Sequence, residues 1–221
     1  PAEGTAADRG SRRASAAAAV LSGSRKALNW CDDKGSVDFY DMKGIVEGLL
    51  EAMQVSDYTM TRSQQPYLHP GKSCDIVVNG EVIGSFGEVH PVVQENFELD
   101  QVTYVLEMAV EPLVASATAV PQYKHLPKFP SMSRDIAVVV PAEVTNAELE
   151  QVIRVHAGEL LQGVRVFDIY TGKQVAAGCK SMAFNLTYQA ADRTLTDAEV
   201  DASMKKVIAE VAEAYKAKLR D

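Results

Sequence analysis

Apolar residues recur at helical spacing in two long segments of the chain. In DFYDMKGIVEGLLEAM the stripe comprises Phe39, Met42, Val46, Leu49, Leu50 and Met53. In TDAEVDASMKKVIAEVAEAY it comprises Val200, Met204, Val207, Ile208, Val211 and Tyr215. This spacing predicts two helices that each bury one face.

A third helix is predicted over TNAELEQVIRVHAG by its end signals. Thr145 and Glu148 are spaced as a capping box at its start, and Gly158 is a typical stop. Thr196 and Glu199 form the same pair ahead of the last long helix. A short helix is predicted over PVVQENFEL, because proline favours the first helical position.

Alternating and β-branched runs predict the strands. They are AAVLSG, the two runs around Asn79-Gly80 in CDIVVNGEVIGSFGEVHP, VTYVLEMAV, RDIAVVV, VRVFDIY and KSMAFNLTYQ, with KAKLRD as a short edge strand. The Asn79-Gly80 pair suits a type I′ hairpin turn, which needs two positive φ angles.

The order of these elements divides the chain. We predict an atypical or poorly ordered start over 1–16, an antiparallel α+β domain over 17–115, a proline-containing linker over 116–127 and a second domain over 128–221. The second domain reads β-α-β-β-α-(β), which is the ferredoxin-like pattern of two helices on one face of an antiparallel sheet.

The other face of that sheet is left open, and strand alternation indicates what lies on it. In VFDIY we expect Phe167 and Ile169 to pack against the helices and Asp168 and Tyr170 to face out. In the following strand, Met182, Phe184 and Leu186 form the apolar set, so Ser181 and Asn185 should join the open face.

An exposed tyrosine beside a carboxylate suits a nucleobase, because the ring stacks and the carboxylate accepts base N–H groups. Lys173 and Lys180 flank the following turn and are candidate phosphate contacts. The structural alternative stays open: an aspartate at a strand end often stabilises a turn, and a surface tyrosine is often a cross-strand partner.

The distribution of charge along the chain limits the kind of nucleic-acid binding that is expected. The net charge of the 221 residues is −8, with 10 Lys and Arg against 17 Asp and Glu in residues 1–124 and 12 against 13 in residues 125–221. This balance argues against broad, non-specific nucleic-acid binding but permits a local site in the second half. Three scattered cysteines suggest reduced thiols and a cytoplasmic setting.

The sequence offers no convincing catalytic or metal site. The four histidines lack metal-ligand spacing, and no apolar run is long enough to span a membrane. Glu88 and His90 are conceivable as an acid–base pair of a stand-alone enzyme, although a strand end and a helix start explain them more simply. A protein-interaction domain that binds no RNA is the other alternative.

Several motifs carry a family resemblance. HLPKFPSMSRDIAVVV, VFDIYTGKQ, GCKSMAFNLTYQ and RTLTDAEVDASMKKV resemble the ferredoxin-fold anticodon-binding domain that closes the bacterial phenylalanyl-tRNA synthetase β subunit. NWCDDKGSVDFYDMKGIVEGLLEAM and HPGKSCDIVVNGEVIGSFGEVHP are similar to the class II synthetase-like core domain that precedes it. The resemblance covers residues 17–221 and leaves 1–16 unplaced.

This resemblance implies a non-catalytic part of a larger ligase. The family enzyme uses ATP and magnesium to join phenylalanine to its tRNA, works as an (αβ)2 assembly and has its active site on the α subunit, which the core domain holds. Its C-terminal domain reads the anticodon stem-loop. Asp168 and Tyr170 match the positions that hold and stack the first anticodon base, a guanine, while Ser181 matches a nearby contact and Lys180 adjoins it. The family's upstream editing and assembly modules have no counterpart here.

Overall fold

The computed structural model describes residues 15–27, 30, 35–118, 120, 123, 126–172 and 174–220. Contacts divide the chain into two compact units, Pro1–Tyr123 and Lys124–Asp221. Most of the predicted atypical start over 1–16 lies outside the described residues. No helix in the described part combines the length and apolar character that crossing a membrane requires.

The first unit is a five-stranded antiparallel sheet with one long helix. The strand order is β1-β5-β4-β3-β2. The strands are β1 (Ala16–Ser22), β2 (Tyr58–Arg62), β3 (Leu68–Val78), β4 (Glu81–Val89) and β5 (Thr103–Ala109). The helices are α1 (Phe39–Ala52), α2 (Pro91–Asn96) and α3 (Val110–Ser116). Strand β2 and helix α3 were not predicted from the sequence.

Helix α1 begins at a capping box formed by Asp38 and Asp41. Asp38 caps the backbone N–H groups of Tyr40 and Asp41, and Asp41 accepts from the Asp38 backbone N–H in return. Arg25 binds both carboxylates, and its hydrogen bond is the main cause that lowers the pKa of Asp41. The predicted apolar stripe faces the sheet, with Met42, Val46 and Leu50 fully buried.

The hairpin between β3 and β4 turns at the predicted dipeptide. Asn79 has a φ of 51° and Gly80 a φ of 80°, which are the positive angles of a type I′ turn. The turn sets the pairing of the two strands that form the centre of the first sheet.

The second unit has the predicted ferredoxin-like topology. Its elements are β6 (Met132–Pro141), α4 (Asn146–Ala157), β7 (Leu161–Tyr170), β8 (Cys179–Tyr188), α5 (Asp197–Tyr215) and β9 (Lys218–Leu219). The strand order is β7-β8-β6-β9, and the pairs are antiparallel. The α+β class and the ferredoxin-like second domain are therefore confirmed.

Both helices of this unit pack on one face of its sheet. Met182, Phe184, Leu186 and Tyr188 of β8 are almost completely buried against them. The predicted stripe of α5 joins the same core, and the capping box of Thr145 and Glu148 starts α4 as expected. Because the helices cover one face, the side chains of β8 that alternate with the buried set lie on the other.

Candidate nucleic-acid interface

Strand β7 carries a β-bulge just before Asp168 and Tyr170. The pairing with β8 runs Val166↔Phe184 and then Asp168↔Ala183, so Phe167 is an extra residue without a partner. A bulge of this kind shifts the alternation by one position. Val166 therefore packs against the core, while Asp168 and Tyr170 fall on the open face.

One prediction about this strand is wrong. Phe167 and Ile169 were expected to pack against the helices, but each side chain is 53% exposed. Phe167 is the unpaired bulge residue, and Ile169 lies opposite Met182 near the end of the sheet. Neither the Phe167 ring nor the Ile169 side chain is buried as a core residue would be.

Tyr170 and Ser181 are direct cross-strand partners. Asp168 lies two pairs further along, opposite Ala183, and therefore on the same face. Ser181 is only 3% exposed, so it lines the floor of this surface, whereas Asp168 is exposed. No hydrogen bond or ion pair joins the Asp168 carboxylate to another described residue. It is an acceptor available to a ligand.

Asn185 continues the open face toward the middle of the sheet. Its side-chain amide donates to the Asp135 carboxylate at 2.6 Å. Asn185 is thus on the predicted face but is already engaged with a neighbouring strand. We assign it to the edge of the surface and not to its centre.

The Tyr170 ring has two close neighbours. Arg220, which follows β9, places its guanidinium carbon 4.7 Å from the ring centroid. In addition, a Cβ added to Gly172 would stand 2.1 Å from the Tyr170 hydroxyl oxygen. The ring therefore depends on a glycine for its position and carries a cation on one face.

Sequence patterns gave no hint of Arg220. It is 50 positions from Tyr170 and follows a strand of two residues. Its backbone N–H donates to the carbonyl of Ala137 on β6, and only the ferredoxin-like strand order then aims it at β7.

Of the two predicted phosphate contacts, the structure describes Lys180 only. Lys180 lies opposite Val140, whose side chain is in the core, so it belongs to the opposite face of β8 from Ser181. The Thr145 backbone N–H lowers the pKa of Glu148, and the Lys180 charge contributes to that shift. Lys180 is therefore near the start of α4. Lys173 lies outside the described residues.

The candidate acid–base pair of the first unit is occupied by structural contacts. The buried Glu88 carboxylate accepts from Lys72 Nζ at 2.6 Å and from the Tyr104 hydroxyl at 3.2 Å. Burial and the Glu88 charge raise the pKa of Tyr104. His90 instead caps α2, where its Nδ1 accepts from the Val92 backbone N–H at 3.2 Å. In the described ranges no three His, Cys, Asp or Glu residues are grouped as metal ligands.

Comparison with known proteins matches both halves of the chain. Residues 127–220 match the family described as the ferredoxin-fold anticodon binding domain. Residues 3–110 match the family described as the phenylalanyl tRNA synthetase beta chain CLM domain. This second match begins inside the segment 1–16 that sequence analysis left unplaced.

Curated relatives agree along most of the chain. It is 42% identical over 201 residues to the phenylalanine–tRNA ligase beta subunit of Symbiobacterium thermophilum, which covers 91% of the chain and 22% of that protein. The same subunit of Bacillus subtilis is 42% identical over 197 residues, which covers 89% of the chain and 24% of the relative. The chain thus spans about a quarter of the length of these relatives.

Proposed function

Because the chain belongs to the phenylalanine–tRNA ligase beta-subunit family, we propose that its second unit binds the anticodon stem-loop of phenylalanine tRNA. In this proposal the first unit holds the catalytic α subunit of a cytoplasmic (αβ)2 ligase. The whole enzyme would use ATP and magnesium to attach phenylalanine to tRNA. The chain itself would contribute binding and no chemistry.

The observation that carries the proposal is the open face around Tyr170. An aromatic ring, a buried serine directly opposite it and an exposed carboxylate that bonds no other described residue lie on one face, in two cross-strand pairs separated by a third. This set matches what a single unstacked base needs, since sequence-specific RNA readers stack splayed bases on aromatic rings and bond their edges.

Guanine suits this set better than the other bases. Its Watson–Crick edge presents a ring N–H and an exocyclic amino group, and both are donors. A carboxylate only accepts, so Asp168 is able to bond both groups of guanine and finds fewer donors on adenine or uracil. We propose that Tyr170 stacks the first anticodon base, that Asp168 bonds its edge and that Ser181 contacts it from the floor. Lys180, on the other face of β8, would act on phosphates through charge alone.

The test is binding of a phenylalanine anticodon stem-loop to the chain, measured by calorimetry or fluorescence anisotropy. We expect Tyr170→Ala to weaken binding by about 1–3 kcal/mol, which is the contribution of one stacked base. Phe167→Ala is the matched control, because it removes an exposed ring three residues away on the same strand. Equal affinity of Tyr170→Ala and the unmodified chain would eliminate the site.

The base identity is tested separately. We expect the unmodified chain to prefer a stem-loop with guanine at the first anticodon position over one with adenine there. Asp168→Asn replaces one acceptor oxygen with a donor and should reduce that preference. If the preference survives unchanged in Asp168→Asn, the carboxylate does not read the base.

A stand-alone enzyme based on Glu88 and His90 is the alternative, and their contacts disfavour it. Glu88 is engaged by Lys72 and Tyr104, while His90 caps a helix through its Nδ1. We expect no phenylalanine-dependent pyrophosphate exchange from the chain alone. Activity without an added α subunit would support the alternative.

A further inference from the structure

We propose that Arg220 occupies the stacking face of Tyr170 in the free chain and is exchanged for a base when RNA binds. This inference rests on the proposed function, because it concerns the same tyrosine. The guanidinium carbon of Arg220 lies 4.7 Å from the ring centroid, within the distance at which a cation is attracted to an aromatic face.

The path of the Arg220 side chain across the sheet is open. Strand β9 lies at the opposite edge of the sheet from β7, so the side chain must cross β6 and β8 to reach Tyr170. The Arg220 backbone N–H bonds the carbonyl of Ala137, and the row of residues from there reaches β7 at Asp168, two residues before Tyr170. Along this row Ala137 of β6 lies opposite Ala183 of β8. Both positions alternate with core residues and so face the open side. Their methyl groups leave room for a long side chain to lie across the strands.

A second contact fixes the end of the side chain. Arg220 Nη2 donates to the side-chain oxygen of Gln174 at 3.0 Å, and Gln174 lies in the connection that follows β7. The guanidinium is thus held between the ring and the turn. It occupies one face of the platform, which a stacked base would otherwise contact.

The contacts that hold Arg220 are weak enough for a base to displace its side chain. Strand β9 has two residues, and its register pairs are Leu219 with Val138 and Lys218 with Val139. The Gln174 contact is exposed and involves a neutral acceptor. A base and a planar cation seek the same π-face, so the two cannot occupy one side of Tyr170 together.

The free chain provides the first measurement. In NMR spectra, the side-chain protons of Arg220 should show an upfield ring-current shift that disappears in Tyr170→Leu. Addition of the anticodon stem-loop should abolish the same shift in the unmodified chain. An unshifted Arg220 in the free chain overturns the inference, as does a shift that persists in the complex.

Affinity provides the second measurement. Arg220→Ala and Lys218→Ala each remove one positive charge from the same end of the chain, but only Arg220 contacts the ring. We expect Arg220→Ala to bind the stem-loop about two- to fivefold more tightly than Lys218→Ala, which corresponds to loss of an exposed cation–π competitor. Equal or weaker binding by Arg220→Ala means that Arg220 does not compete with the RNA.

The two proposals fail in different ways. If the unmodified chain does not bind the stem-loop, the proposed function fails and the exchange fails with it. If the stem-loop binds while Arg220 keeps its ring-current shift, the anticodon site stands and only the exchange is rejected.

Discussion

At the scale of single residues, Gly172 determines where the Tyr170 ring lies. A Cβ at this position would come within 2.1 Å of the Tyr170 hydroxyl oxygen and 2.2 Å of the ring carbon that bears it. Neither distance is tolerable, so any larger residue must push the ring aside. A residue that touches no ligand in the proposal therefore controls the stacking surface.

We expect Gly172→Ala to weaken stem-loop binding while leaving the stability of the fold nearly unchanged. The displaced ring lies on the open face of the sheet and not in the core, which explains the difference. Gly163→Ala is the control, because a Cβ on Gly163, which lies in β7 with Tyr170, meets its nearest neighbour at 4.0 Å. Urea unfolding and stem-loop titration of both variants check the prediction, and equal binding by the two would contradict it.

At the scale of elements, the bulge in β7 decides which aromatic residues are structural. Phe184 is fully buried beneath the helices, whereas Phe167 is half exposed at the bulge. We expect Phe184→Ala to lower the free energy of unfolding by about 3–5 kcal/mol. Phe167→Ala should change it by less than about 1 kcal/mol. Urea denaturation of the second unit measures both, and similar losses would show that Phe167 is a core residue after all.

The same bulge shows why strands were harder to predict than helices. The stripes of α1 and α5 depend on spacing within one segment, and both were confirmed. The faces of β7 depend on an extra residue whose presence is set by the pairing with β8, so the alternation of VRVFDIY was misread at Phe167. Ile169 does pair with the core residue Met182, but the end of the sheet leaves its side chain exposed. The position of Arg220 depends on three strands at once, and no local pattern records that information.

The first turn of helix α5 makes the stability of the fold depend on pH. Glu199 accepts from the Thr196 backbone N–H and hydroxyl and pairs with Arg193, and these contacts lower its pKa to about 2. A folded-state pKa below the unfolded value means that the carboxylate stabilises the fold at neutral pH. That contribution is lost as the pH falls from about 4.3, the unfolded value, through about 2.

We expect Glu199→Gln to lower the urea midpoint at pH 7, with the deficit shrinking as the medium is acidified below about pH 4. Glutamine keeps a hydrogen-bond acceptor for the cap but lacks the charge. Glu213→Gln, near the other end of α5, is the control, since no hydrogen bond or ion pair joins Glu213 to another described residue. A deficit that stays constant with pH would show that the charge is not responsible.

At the scale of the whole molecule, each unit has a core of its own. One buried cluster is drawn from α1, α3 and the first sheet together with Val55, and the other from α4, α5 and the second sheet together with neighbouring loop residues, without a shared member. The contact boundary falls between Tyr123 and Lys124. The linker over 116–127 remains a prediction, and limited proteolysis followed by mass spectrometry tests it: we expect the cleavage that separates the two units to fall inside that range.

The separate cores lead to an expectation for the isolated second unit. If residues 124–221 fold alone, they should bind the anticodon stem-loop at least as tightly as the full chain, because the proposed site lies entirely within them. Residues 1–123 hold 17 acidic against 9 basic residues, so their removal takes away negative charge that repels phosphates. Any gain in affinity should be largest at low salt and fade above about 0.15 M, where the Debye length falls to about 8 Å. Circular dichroism establishes whether the isolated unit folds. A folded unit that binds more weakly at every salt concentration would show that the first unit contributes directly to RNA binding.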